Sequence, residues 1–194
     1  MKKPLFTGSG VAIVTPFTKE TVDLPTLGKL LDFQMKNGTD AIIVCGTTGE
    51  ASTMSYRERM RTIEFCVEQV DGRVPVMVGS GSNCTVTQIE KSRLYQSMGA
   101  DALLLISPYY NKANAEGMYR HFAETADAVD LPCILYNVPS RTGCNLTPAT
   151  LAELAKHPNI NAVKEASGNI SQVAEIAALC GDELNLYSGN DDQI

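Results

Sequence analysis

At 194 residues the chain holds one domain or slightly more, enough to bury a core, and its 44% hydrophobic, 20% charged composition is that of a globular protein. Sixteen basic against 22 acidic residues leave a net charge of −6, which argues against nucleic acid or an anionic membrane as partner, since both call for a basic patch. No run approaches the roughly 18 apolar residues that span a bilayer, and MKKPLFTGSG lacks the apolar run of a signal peptide, so no membrane contact and a cytoplasmic location are expected.

Taken in chain order, short apolar runs alternate with helical stretches. GVAIVTP (10–16) comes first and AIIVCG (41–46) second. Ser55-Tyr-Arg-Glu58 then fits a capping box, in which a hydroxyl and an acidic side chain satisfy free N–H groups at a helix start. VPVMVGSG (74–81) is followed by a second such pattern, Thr85-Val-Thr-Gln88, and then by ALLLISP (102–108) and PCILYN (132–137). Thr147-Pro148 suits an N-cap with proline at the first helical position, Pro158 limits the other end, and Leu151, Leu154 and Ala155 form a stripe that can face a sheet. NAVKEAS (161–167) and LNLYSG (184–189) complete the series. Runs of this length, rich in Val, Ile and Leu and not strictly alternating, read as parallel strands covered on both faces.

Their spacing is that of a βα unit. A faint echo relates Gly38–Val44 to Gly99–Leu105 and Val74–Gly79 to Leu131–Tyr136, compatible with a barrel layered from alternate strands. The expected fold is therefore α/β, either a (β/α)8 barrel or an open doubly wound sheet. No GxGxxG follows the first run, which weakens the dinucleotide-binding version. A barrel needs an eighth strand and about 250 residues. The expectation is thus an incomplete barrel of about seven strands.

Six cysteines (Cys45, Cys66, Cys84, Cys133, Cys144, Cys180) are scattered with no CxxC pair, and His121 and His157 lie too far apart in sequence for a zinc signature. A reducing compartment and no metal are expected. Cys45 and Cys133 fall inside apolar runs and read as small core residues.

In a βα barrel the chemistry collects at the C-terminal ends of the strands. Those positions hold Gly46-Thr47-Thr48-Gly49-Glu50, Ser107-Pro108-Tyr109-Tyr110-Asn111, the stretch from Tyr136 through Arg141 to Gly143, Lys164, and Ser188-Gly189-Asn190-Asp191. A lysine in an apolar strand either snorkels to water or is buried for a purpose. At a pKa near 10.4 only about one lysine in 2,500 is a free amine at pH 7, and burial multiplies that fraction about tenfold per unit of lowering. Ala162 and Ala166 share the face of Lys164 and leave space at the amine, and Tyr136, one strand earlier, can shuttle the protons that imine and enamine formation require.

GTTGE lacks a P-loop lysine, so a small carboxylate held by Thr47 and Thr48 fits it better than a phosphate. Arg141 offers a planar fork for a second carboxylate, or is an ordinary loop arginine. Tyr109 and Tyr110 can be simple loop packing. Asp191-Asp192 reads as a solvated charge pair without a role.

GVAIVTPF, GTTGE, SPYYN, YNVPSRTG, the lysine of VKEAS and the late SGND resemble, in order and spacing, the dihydrodipicolinate synthase family. The resemblance runs from about residue 6 onward and implies a class I, lysine-dependent enzyme that condenses pyruvate with L-aspartate 4-semialdehyde in lysine (diaminopimelate) biosynthesis. It implies a covalent imine of pyruvate at Lys164 with no separate cofactor, proton relay by Tyr136, and Thr48 linking Tyr136 to a Tyr110 inserted from a neighbouring subunit. It further implies Thr47 on the pyruvate carboxylate, Arg141 on the semialdehyde carboxylate, Gly189 lining the pyruvate pocket, and a homotetramer built as a dimer of dimers.

Related pyruvate-dependent enzymes, N-acetylneuraminate lyase and keto-acid aldolases, share the lysine and tyrosine and are the alternative, but the lyases typically read GSTGE and lack an arginine matching Arg141, so Thr47 and Arg141 point to the synthase. Asn83 and Tyr109 match places of an allosteric lysine site, whereas Arg59 and Thr87 stand where lysine-inhibited members carry a histidine and a glutamate. The resemblance also implies that residues 1–194 are a partial catalytic domain without the eighth strand and the C-terminal helical domain. An inactive fragment that associates through open strand edges is the alternative of a different class.

Overall fold

Each of the seven apolar runs supplies one strand. In the computed structural model, which describes residues 2–193, the strands are β1 (Gly10–Ala12), β2 (Ala41–Val44), β3 (Val76–Gly79), β4 (Ala102–Ile106), β5 (Cys133–Asn137), β6 (Ile160–Glu165) and β7 (Asn185–Ser188). Between them lie α1 (Leu24–Lys36), α2 (Tyr56–Val70), α3 (Thr85–Ser97), α4 (Ala115–Asp127), α5 (Pro139–Thr142), α6 (Pro148–Leu154) and α7 (Ile170–Cys180). The strands follow one another in the sheet in chain order. A doubly wound sheet reverses its strand order at a switch point; this one does not, and the fold is of the (β/α)8 class with seven strands among the described residues.

The chain divides into two compact units. One comprises Leu5–Gly79 and Leu94–Leu103. Here β1, β2 and β3 pair in parallel, with Val11 opposite Ile42 and Ile43 opposite Met77. All four residues of β2 are buried, as a strand covered on both faces must be. Leu27 and Leu31 of α1 and Ile63, Cys66 and Val70 of α2 are fully buried in its core. Ser55 and Glu58 form the expected capping box at the start of α2.

The other unit comprises Met1–Pro4, Ser80–Arg93 and Leu104–Ile194. Here β5, β6 and β7 pair in parallel, with Tyr136 opposite Lys164 and Lys164 opposite Tyr187. Thr147 caps α6 through the Thr150 N–H at 3.3 Å, and Leu151, Leu154 and Ala155 are buried as expected. The Lys2 ammonium donates to the carbonyls of Ala155, His157 and Ile160, tying the N-terminal segment to the connection between α6 and β6.

The second expected capping box does not form. The Gln88 N–H bonds to the Cys84 carbonyl at 2.9 Å, so the helix begins one residue earlier than a Thr85 cap would place it. Gln88 turns inward, accepting from Ser82 N–H at 3.0 Å and donating to Thr125 Oγ1 at 2.9 Å. Thr85 Oγ1 meets His121 Nδ1 at 2.9 Å instead of capping the helix.

Candidate active site

Lys164 lies near the C-terminal end of β6, half-buried between fully buried Ala162 and nearly buried Ala166. Its Nζ stands 4.7 Å from the centroid of the Tyr136 ring, the neighbour that the strand register dictates. Burial pushes the Lys164 ammonium below its ordinary 10.5, and the Asp191 carboxylate pulls part of the way back. No carboxylate among the described residues lies within ion-pair distance of Nζ. The amine is thus desolvated without being neutralised, the condition that favours a nucleophilic lysine.

Tyr136 is 8% exposed, and burial raises its phenol while the nearby Arg141 guanidinium lowers it. Arg141 stands on α5, a single turn started by Pro139 and ended by Gly143 at φ 71°, a conformation suited to glycine. Gly189 donates its N–H to the Glu165 carbonyl at 2.8 Å, extending the ladder past β7. A Cβ on Gly189 would stand 2.9 Å from Lys164 Cε and 2.9 Å from Ala166 Cβ, so the glycine makes room for the lysine stem. The structure therefore brings Lys164, Tyr136, Ala166 and Gly189 together, with Arg141 and Asp191 within electrostatic reach. The sequence reading that gave Asp191 no role missed that influence on Lys164.

Tyr110 is 89% exposed in a left-handed backbone conformation (φ 72°), its N–H bonded to the Thr142 carbonyl at 3.3 Å. Tyr109 is 40% exposed. Asn83 accepts at its carbonyl from Asn111 Nδ2 at 2.6 Å.

Thr47 and Thr48 belong to the other unit, exposed on the turn after β2. Glu50 N–H bonds to the Thr47 carbonyl at 3.0 Å, and the Gly49 carbonyl accepts from Thr15 Oγ1 at 2.7 Å. Gly49 is tightly seated: a Cβ there would be 3.1 Å from the Ile13 carbonyl oxygen. The turn is separated from α2, whose own start is capped by Ser55, so it lacks the helix N-terminus of a phosphate cradle. Burial raises the Cys45 and Cys66 thiols to about 12, which keeps both protonated as core residues. A cavity of about 410 Å³ lined by Glu20, Thr21, Ser55, Arg57, Glu58 and Arg61 contains none of the expected site residues. Among the described residues no group of three or more His, Cys, Asp or Glu side chains is placed to hold a metal.

One buried network escaped the sequence reading. Asn137 and Glu165, the residues after Tyr136 and Lys164, are 0% and 3% exposed and bond to each other. The signal was present: an acidic residue beside Lys164 in an otherwise apolar strand is the same anomaly as the lysine itself.

The model of the dihydrodipicolinate synthetase family matches residues 5–194. The 4-hydroxy-tetrahydrodipicolinate synthase of Thermoanaerobacter sp. (strain X514) is 57% identical over 192 residues, covering 98% of this chain and 65% of its own length. Among solved structures, dihydrodipicolinate synthase from Thermotoga maritima matches with a TM-score of 0.96 and 39% identity, over 98% of this chain and 66% of that one. The chloride-inhibited enzyme from Acinetobacter baumannii, complexed with pyruvate, matches with a TM-score of 0.93 and 42% identity, over 95% and 64%. The chain spans about 65% of the length of the curated relatives it matches.

Proposed function

The chain belongs to the dihydrodipicolinate synthetase family, and from that premise we propose that it carries the catalytic lysine of a lyase-type synthase that condenses pyruvate with L-aspartate 4-semialdehyde to give 4-hydroxy-tetrahydrodipicolinate. The observation that carries the reading is Lys164: a desolvated amine, without an ion-pair partner, 4.7 Å from the ring of Tyr136. The unprotonated amine attacks the ketone carbon of pyruvate, and water leaves as the imine forms. Loss of a methyl proton gives the enamine, whose carbon adds to the aldehyde of the second substrate. Attack of that substrate's amine on the imine carbon then closes the ring and returns Lys164. Tyr136 is the proton relay, adjoining Nζ and electrostatically coupled to Arg141.

In this reading Thr47 and Thr48 bind the pyruvate carboxylate, with Thr48 linking Tyr136 to Tyr110. Arg141 receives the semialdehyde carboxylate, and Gly189 lines the pyruvate pocket. No cofactor beyond the covalent imine takes part. The 89% exposed Tyr110 supports a homo-oligomer in which it enters a neighbouring subunit. Asn83 and Tyr109 are the candidate residues of a lysine-binding site, which an unchanged rate in millimolar lysine would count against. A reducing, cytoplasmic setting accords with six free thiols and is checked by cell fractionation. The direct test of substrate is turnover: consumption of pyruvate with aspartate semialdehyde supports the proposal, whereas turnover of N-acetylneuraminate alone would reassign the site to a related aldolase.

A further inference from the structure

Immediately after Lys164 the chain buries a second ionisable side chain that the proposed chemistry does not use. Successive strand residues face opposite sides, so the Glu165 side chain, 3% exposed, lies across β6 from Lys164. Its carboxylate accepts from Asn137 Nδ2 at 3.2 and 3.0 Å, from the Ser167 N–H at 2.8 Å and from Gln172 Nε2 at 3.3 Å. Every one of these donors is neutral. Burying a carboxylate without a counter-charge is unfavourable, which raises the question of what it holds in place.

The answer lies in the register. Asn137 opposite Glu165 is the next rung after Tyr136 opposite Lys164. The backbone closes the same level, with Ala166 N–H to the Asn137 carbonyl at 2.8 Å and Gly189 N–H to the Glu165 carbonyl at 2.8 Å. Asn137 cannot turn freely, because its Oδ1 accepts from the Leu146 N–H at 2.9 Å, which leaves the two N–H groups of Nδ2 to Glu165 and to Asn145 Oδ1 at 2.9 Å. We infer that Glu165 is a positioning residue for Lys164: its carboxylate, gripped by Asn137, Ser167 and Gln172, locks the ends of β5 and β6 in the stagger that holds the amine against Tyr136. The inference rests on the reading of Lys164 as the imine-forming amine. An acceptor-only group is required at 165, since an amide there would turn one N–H toward another.

The test uses Glu165→Gln alone and together with Asn137→Asp, which moves the carboxylate to β5 and a donor to β6. The readouts are the rate of borohydride-trapped pyruvate adduct at Lys164, the pyruvate concentration for half-maximal rate, and the thermal midpoint. Misplaced reacting groups lose rate steeply, so Glu165→Gln forms the adduct about tenfold more slowly or worse, its half-saturation moves less than about threefold, and the double variant regains most of the rate. A folded Glu165→Gln within about twofold of the unchanged chain overturns the inference, as does a folded double variant that stays as slow as the single one. Should Glu165→Gln not fold, Gln172→Met decides by removing the Gln172 donor to Glu165 together with its two bonds to Asn145: a slower adduct supports positioning and an unchanged rate overturns it. If the unchanged chain forms no adduct, the functional reading fails separately. The same variants are then read by reductive methylation of Lys164 with formaldehyde and cyanoborohydride. Labelling that changes toward that of exposed lysines keeps the positioning role, and unchanged labelling overturns it.

Discussion

Lys164 owes its room to small neighbours and its lowered pKa to burial. Gly189→Ala would place a methyl group 2.9 Å from Lys164 Cε and from Ala166 Cβ, and the latter cannot move aside. We expect this variant to fold yet lose about tenfold or more in pyruvate adduct formation, read by mass spectrometry after borohydride. The charge of Asp191 acts in the opposite direction to burial, raising the Lys164 pKa. Asp191→Asn therefore lowers that pKa further, and the pH profile of adduct formation moves to lower pH. Because Asp191 is exposed, salt shrinks the difference between the two proteins. A profile that stays in place at low ionic strength would remove Asp191 from the site's electrostatics. The neighbouring places of Lys164 and Tyr136 were legible from sequence because each stands at the end of an apolar run. Asn137 and Glu165 were not, because their pairing needs the cross-strand register and a donor from Gln172 on the following helix.

At the scale of elements, the seven strands were legible because runs covered on both faces are apolar throughout, and β2 and β5 are buried at every residue. The start of α3 was misread for a physical reason. Thr85 and Gln88 have the spacing of a capping box, yet buried Thr125 and His121 offer their side chains better partners. His121 makes that contact pH-sensitive. Burial lowers its pKa from 6.5 to about 4, so it stays neutral in the fold while the unfolded chain takes up a proton near 6.5. Its contribution is present above pH 6.5 and is lost as pH falls from there toward about 4. Urea midpoints at pH 7 and pH 5 should differ more for the unchanged chain than for His121→Gln. Equal differences would show that other groups carry the acid sensitivity.

At the scale of the molecule, the strands succeed one another in chain order, as the connections of the (β/α)8 class require. Family membership and fold class were legible from the ordered motifs. The local conformation of Tyr110 was not, since a bulky residue at φ 72° is uncommon and no propensity predicts it. If its exposed ring serves a neighbouring subunit, the chain sediments as an oligomer whose dissociation Tyr110→Ala promotes at micromolar concentration. Identical sedimentation of both proteins would count against that role. The most direct measurement is borohydride reduction in the presence of pyruvate, followed by intact and peptide mass spectrometry. A reduced pyruvate adduct on the peptide containing Lys164, and none on Lys164→Ala, is the predicted result. Folded protein that yields no adduct, or an adduct that persists in Lys164→Ala, would contradict the assignment of Lys164 as the nucleophile.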